Sequence, residues 1–306
     1  MFFKIQGLTG GVFSPPFSKM RRHQKRESKV EILYNERVVR DPLQQLFQSL
    51  WSSYERENFQ VPKIHRLIAD REGTEVLAND HIALRTFQHK SVGLQVLARV
   101  FLDLGFVEKD TYRLRDKHVF AKYYTHPSGK WPRVFISELE LGALSKSSRK
   151  IIDGLIAQIP KKLLNSPGLV SCGRVWQLSH KDYRELLHES EYASWMAAHG
   201  FRMNHATLSV NAMKTFSNLE SLVAFLQEKG FVMNGAKEGQ VIQTARDATD
   251  HILLEQASTI ATRIRVSFID GDHEVPGCYY EFIQRFHDYD GFDSGNATKI
   301  MESTRA

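Results

Sequence analysis

The chain has 306 residues, 42% of them hydrophobic and 25% charged, the balance of one large or two small globular domains. No run approaches ~18 apolar residues, so no transmembrane helix and no membrane partner are expected. The formal charge of +6 lies wholly in residues 1–40, where nine Lys/Arg face three Glu; the remaining 266 residues carry 32 basic and 32 acidic side chains, poor support for a nucleic-acid surface.

Residues 1–40 read as a basic, solvated and disordered extension: its first 26 residues hold no Asp or Glu, and Lys19, Arg21, Arg22, Lys25 and Arg26 cluster near the middle. An organelle-targeting peptide is the alternative, against which serine is sparse (Ser14, Ser18) and Pro15-Pro16 breaks a helix. Cytoplasm is therefore the expected compartment and an organelle matrix the alternative. Cys172 and Cys278 lie 106 positions apart, match no zinc spacing and read as free thiols.

Regular structure is predicted to start at Asp41-Pro42, a cap followed by Pro at the first helical position, with Leu43, Leu46, Phe47, Leu50, Trp51 and Tyr54 at helical spacing. From His81 a strand is predicted, with His81, Ala83 and Arg85 on one face and Ile82, Leu84 and Thr86 on the other. Val92 to Leu104 reads as a helix stopped by Gly105, and Phe106-Val107 opens the next strand. The pattern recurs. Met203 to Val210 alternates, Leu219 to Lys229 reads as a helix, Gly230 caps it, and Phe231-Val232 opens a strand. His81 precedes Gly105 by 24 positions and His205 precedes Gly230 by 25, and both glycines begin Gly-Phe-Val. The ordered set points to an internal duplication, module one over about 78–140 and module two over about 202–286 of a domain spanning 41–306. Further strands are predicted at Val119–Tyr124 and Arg133–Leu139 in the first copy, and at Gln240–Thr244, Ile264–Phe268 and Tyr279–Gln284 in the second. Helices over Ser147–Ile159 and Lys181–Ala198 lie between the copies.

Read singly, His81 and His205 are as well explained as hydrogen-bonded core residues, and Glu281 as an ion pair with Arg285. Equivalent places in the two copies would set the imidazoles face to face across a pseudo-twofold axis. Glu281 interrupts an aromatic strand, where a lone buried carboxylate needs a cation or donors. Two His and one carboxylate with open positions suit non-haem Fe(II), although Zn, Mn and Ni tolerate similar donors. Arg85, at most ~13 Å along the strand from His81, suits a grip on a substrate carboxylate; a salt bridge to Glu138 is the competing reading. Glu138 could also be the first-copy counterpart of Glu281 and a fourth ligand or outer-sphere group. His118, His126, His180, His188, His199 and His251 have no partner at metal spacing and read as surface or structural residues.

At Asn79–Phe87, Pro132–Leu139, Asn204–Thr207 and Tyr279–Phe282 the sequence resembles the 2-oxoadipate dioxygenase/decarboxylase family. The resemblance covers roughly residues 41 to 306. It implies an α+β fold of the vicinal oxygen chelate (glyoxalase-like) type, with paired βαβββ modules forming a curved mixed sheet around a metal site, and added helices. It implies Fe(2+) held by His81, His205 and Glu281, Arg85 as the substrate-binding catalytic residue, and conversion of 2-oxoadipate and O2 to 2-hydroxyglutarate and CO2 in lysine breakdown. The chain is a short form, which leaves the preferred 2-oxo acid open, as is the oligomeric state. A non-oxidative lyase or isomerase of glyoxalase type is the alternative, favoured if Glu138 joins the site.

Overall fold

In a computed structural model the described residues are Phe2–Phe3 and 41–293. The expectations for the basic N-terminal stretch fall outside them, save for the Phe2–Phe3 backbone. The Asp41 carboxylate accepts from Leu43 N and opens helix α1 (Pro42–Glu57), which packs Leu43, Leu46, Phe47, Leu50 and Trp51 into the core. A helix not predicted, α2 (Gln60–Glu72), follows and buries Val61, Ile64 and Ile68.

Module one is β2 (Leu77–Phe87), α3 (Leu94–Asp103), β3 (Val107–Leu114), β4 (Val119–Thr125) and β5 (Arg133–Leu139). The strand β1 (Phe2–Phe3) pairs with the start of β2. Connecting helices α4 (Lys146–Ala157), α5 (Lys161–Leu164), α6 (His180–Glu189) and α7 (Glu191–His199) precede module two. That module is β6 (Met203–Ser209), α8 (Leu219–Glu228), β7 (Gln243–Arg246), β8 (Ile252–Ser258), a hairpin of β9 (Arg263–Phe268) and β10 (Gly271–Pro276), and β11 (Tyr279–Arg285). Gly105 and Gly230 end α3 and α8 at φ of 91° and 85°, left-handed conformations that explain the repeated glycine.

The strand order β3-β4-β5-β2-β6-β11-β8-β7 is a palindrome in the two modules. Their first strands, β2 and β6, meet antiparallel at the centre, with Ala83 opposite His205 and His81 opposite Thr207. Each is flanked by the last strand of its own module in parallel register, His81 beside Arg133 and His205 beside Tyr279. This is the paired βαβββ arrangement, α+β and curled into a half-barrel. Helices cover one face: Ile82 and Leu84 point into the main apolar core with α1, α2, α3 and α8. The other face of β2 and β6 is left for the cavity.

Four predicted elements differ, the first of them Gln240–Thr244, where the strand is β7 at Gln243–Arg246. Ile264–Phe268 is a strand, but it pairs only with β10 outside the main sheet; its alternation marks a half-exposed ribbon, not membership of the sheet. The sheet strand in that place is β8, where Glu255 and Gln256 blur the alternation. Phe231-Val232 opens no strand; the Met233–Thr259 bridge is isolated. The helix predicted over Lys181–Ala198 breaks at Ser190, whose φ/ψ of −151°/113° is extended and whose hydroxyl accepts from Ala193 N to start α7.

Candidate metal centre

Period-2 alternation puts His81, Ala83 and Arg85 of β2 on the cavity face, and antiparallel pairing brings His205 of β6 opposite Ala83. Parallel pairing then carries Glu281 of β11 beside Thr207, one strand further. One ligand atom from each of His81, His205 and Glu281 lies within 4.8 Å of the others. The two imidazole centroids are 5.6 Å apart, nearly perpendicular. His205 Nε2 is 3.3 Å from Glu281 Oε2.

Both rings are held by the residue before them. His81 Nδ1 is 2.8 Å from Asp80 Oδ1, and His205 Nδ1 is 3.0 Å from Asn204 Oδ1. An acceptor at Nδ1 fixes the proton there and leaves the Nε2 lone pair free to face the centre. The Thr207 hydroxyl oxygen lies 3.0 Å from His81 Nε2, and the same hydroxyl hydrogen-bonds the Glu281 carboxylate. Asp80 is in turn held by Arg285, at 2.8 Å from Nε and 2.9 Å from Nη2, and by Arg133 at 3.0 Å. Arg133 also pairs with Asp290.

Arg85 is 3% exposed, with its guanidinium 5.0 Å from the Tyr192 ring centroid and 5.2 Å from that of Trp195. Among the described residues no carboxylate pairs with it. The Glu138 expectations fail on geometry. Its Oε2 accepts from Leu94 N at 2.8 Å and caps α3, so it neither pairs with Arg85 nor joins the centre. Register explains why: Gln284 on β11 accepts from Leu219 N at the start of α8 in the same manner. Gln284 is therefore the counterpart of Glu138, and Phe135 is the counterpart of Glu281.

The sequence matches the 2-oxoadipate dioxygenase/decarboxylase family over residues 34–165 and 173–287. The chain belongs to that family. A relative named 2-oxoadipate dioxygenase/decarboxylase, chloroplastic, from Arabidopsis thaliana is 33% identical over 259 residues, covering 74% of this chain and 68% of its own. A crystal structure of a protein from Shewanella frigidimarina is 38% identical with a TM-score of 0.76, covering 82% of this chain and 98% of that one. The crystal structure of hydroxyglutarate synthase in complex with 2-oxoadipate from Oryza sativa is 29% identical with a TM-score of 0.78, covering 86% and 91%.

The electrostatics of this family member's centre suit a cation. Burial pushes the Glu281 carboxyl up to about 8, against the Gln256 amide that donates to Oε1 at 2.5 Å. Burial, then the neighbouring His81 and Arg85, hold His205 well below its usual range. A neutral imidazole nitrogen and a carboxylate oxygen 3.3 Å apart are both acceptors, so a proton or a metal must lie between them. Burial also lowers His81, against the Asp80 bond. Asp80 is the contrast: burial raises it, but the Arg285 and His81 bonds outweigh that and keep it ionised. The donor set thus fits a divalent ion, with two neutral imidazoles and one carboxylate. A larger cleft of about 410 Å³ lies between α1, α3 and residues 164–171, but no titratable cluster converges there.

Sequence reasoning missed Asp80, Asn204, Thr207 and Gln256, and it offered Arg285 as an ion pair for Glu281, whereas that guanidinium holds Asp80. The first two had a signal, an Asx residue directly before each His in both copies. Thr207 and Gln256 meet the site only through strand register. Among the described residues no helix is long and apolar enough to cross a membrane, and Cys172 and Cys278 are free.

Proposed function

We propose that residues 41–306 form an Fe(II)-dependent dioxygenase/decarboxylase acting on 2-oxoadipate, with His81, His205 and Glu281 as the iron ligands and Arg85 as the substrate anchor. The observation that carries it is the convergence of three ligand atoms within 4.8 Å around Glu281, a buried carboxylate that accepts from the Gln256 amide but is paired with no Lys or Arg among the described residues. Bound iron(II) supplies the Lewis-acid and redox chemistry by which O2 reacts with a 2-oxo acid. The net change is 2-oxoadipate plus O2 to 2-hydroxyglutarate plus CO2. It balances in every atom, and places the enzyme in lysine breakdown.

The chain's own groups have defined tasks. Asp80 and Asn204 fix the imidazole tautomers. Gln256 holds Glu281 in one rotamer. Arg85, the cavity's unpaired cation among the described residues, takes the distal carboxylate in a two-pronged grip and so orients the oxo-acid end toward the ligand triad. Ala83, Phe135 and Phe292 exclude water from the reacting end. The name of the Oryza sativa relative, bound to 2-oxoadipate, supports this substrate. A glyoxalase-type lyase with four protein ligands is not supported, because Glu138 is committed to α3. The chloroplastic naming of the plant relatives supports an organelle matrix over the cytoplasm, which the intact mass of the native protein tests by revealing whether residues near the N-terminus are removed.

The decisive experiment is oxygen uptake and CO2 release after anaerobic Fe(II) loading. Equal amounts of O2 consumed, CO2 released and 2-hydroxyglutarate formed are expected. Release of CO2 without O2 uptake would refute the oxygenase.

A further inference from the structure

We propose that Phe292 determines how long a substrate chain the pocket accepts, and that residues 286–293 are a movable wall of the site. This rests on the 2-oxo acid reading above. The cavity bounded by His81, Arg85, His205 and Glu281 measures about 50 Å³. That admits only a few waters at ~10–15 Å³ each, whereas small-molecule pockets run to roughly 300 Å³ or more. A six-carbon dicarboxylate needs one wall to move.

The wall that can move is identified by its attachments. Phe292 stands edge-on to His81 at 4.8 Å, and 5.1 Å from both Tyr123 and Phe135. With Ala83 and Ala121 these residues form a small apolar cluster separate from the main core. Two alanines in that cluster leave the volume that the Phe292 ring fills. The other walls are sheet strands with ladder hydrogen bonds. Residues 286–291, in contrast, contain no strand or helix and none is buried; Phe292 is the buried side chain of the segment, 8% exposed. His287 and Asp288 sit in succession at φ of 52° and 54°, a conformation that non-glycine residues hold only when their surroundings require it. A segment with few buried contacts opens at low cost.

The segment is tied at its base by Phe286 N, which donates to Leu253 O at 3.0 Å, and at Asp290 by the ion pair with Arg133, both outside the cavity; around Phe292 itself the bonds are few. Phe292 N donates to the Tyr112 hydroxyl at 3.1 Å. Arg285 Nη1 donates to Gly291 O at 2.6 Å and to Tyr289 O at 3.3 Å. The same guanidinium holds Asp80, the partner of His81, and lies 5.2 Å from the Phe292 ring centroid. Wall and ligand orientation therefore share one side chain.

The test uses the full chain, loaded with Fe(II) and free of oxygen, titrated calorimetrically with 2-oxoadipate (six carbons) and 2-oxosuberate (eight carbons). The wild type is expected to prefer the shorter acid. Phe292→Ala should move the affinity ratio toward the longer acid by about tenfold or more, and Phe292→Trp should move it the other way, both with iron content unchanged. A ratio that stays the same in both variants overturns this inference alone; a wild type that binds neither acid overturns the oxo-acid reading and this inference with it. Amide exchange gives a second readout without substrate or iron. Residues 286–293 should exchange faster than β11, and faster still in Tyr112→Phe. Exchange as slow as that of β11 in both proteins would mean a fixed wall.

Discussion

Replacing Asp80 by Asn tests the organisation of the centre most sharply. The change keeps the shape but removes the charge on which His81, Arg285 and Arg133 converge through four hydrogen bonds of 2.8–3.0 Å. One carbonyl oxygen cannot serve four donors, and the new amide points its own protons at a guanidinium. Arg285, with its side chain 10% exposed, is left without its carboxylate, whereas Arg133 keeps Asp290. Removing one partner from a buried pair costs about 3–5 kcal/mol. Little solvent screening applies to Asp80 at 4% side-chain exposure. At about 2–3 °C per kcal/mol for a domain of this size, the metal-free variant should melt roughly 6–15 °C lower. His81 also loses the anion that makes its Nε2 a better donor to metal, and such outer-sphere changes weaken binding by about 10–100-fold. Thermal denaturation of the metal-free protein and chelator competition on the loaded one measure the two effects separately. A variant that melts within 2 °C (about 1 kcal/mol) of wild type and holds metal equally well would show that this network does not organise the site.

Arg85→Met is expected to leave iron content and melting temperature nearly unchanged, since no anion stabilises the guanidinium, while two lost charged hydrogen bonds to substrate raise KM by about 100-fold or more; loss of iron would make Arg85 structural. Glu138→Ala should cost about 1 kcal/mol through the α3 cap with metal affinity unchanged, and a fall in metal affinity would reinstate it as a ligand. Burial, with Arg202 nearby, lowers His199 to about 3, and its Nε2–H donates to Pro276 O at 2.7 Å. The unfolded chain therefore binds a proton below pH ~6.5 that the folded chain refuses, so stability falls as pH drops from there toward 3. Urea titrations at pH 7.5 and 5 should differ by about 2 kcal/mol from this residue, and the difference should shrink by that amount in His199→Gln.

The sheet and the convergence of His81, His205 and Glu281 were legible from two sources, the repeat and the family resemblance. His81 and His205 gain meaning from their equal distances to a left-handed glycine, and Glu281 from standing alone among aromatics. What lay across strand registers was not legible. Thr207 reaches His81 only because β2 and β6 pair with that offset, and Gln256 reaches Glu281 across neighbouring strands. The Glu138 expectation matched two acids in late strands by residue type, whereas the register matches Glu138 with Gln284, a fellow helix cap. Alternation in Arg263–Phe268 reported a half-exposed ribbon correctly and said nothing of its partner. Ser190 looked tolerable within a helix because its capping role depends on a backbone turn that composition does not encode.

The unequal pair Phe135 and Glu281 has a consequence for how such a centre arises. Two identical chains related by a twofold axis share one gene, so an acid placed on one is placed on both, and an aromatic likewise. Joining the halves into a single polypeptide lifts that restriction. Here one late strand presents the Glu281 carboxylate and the other the Phe135 ring to the same cavity, a difference that two identical halves cannot have.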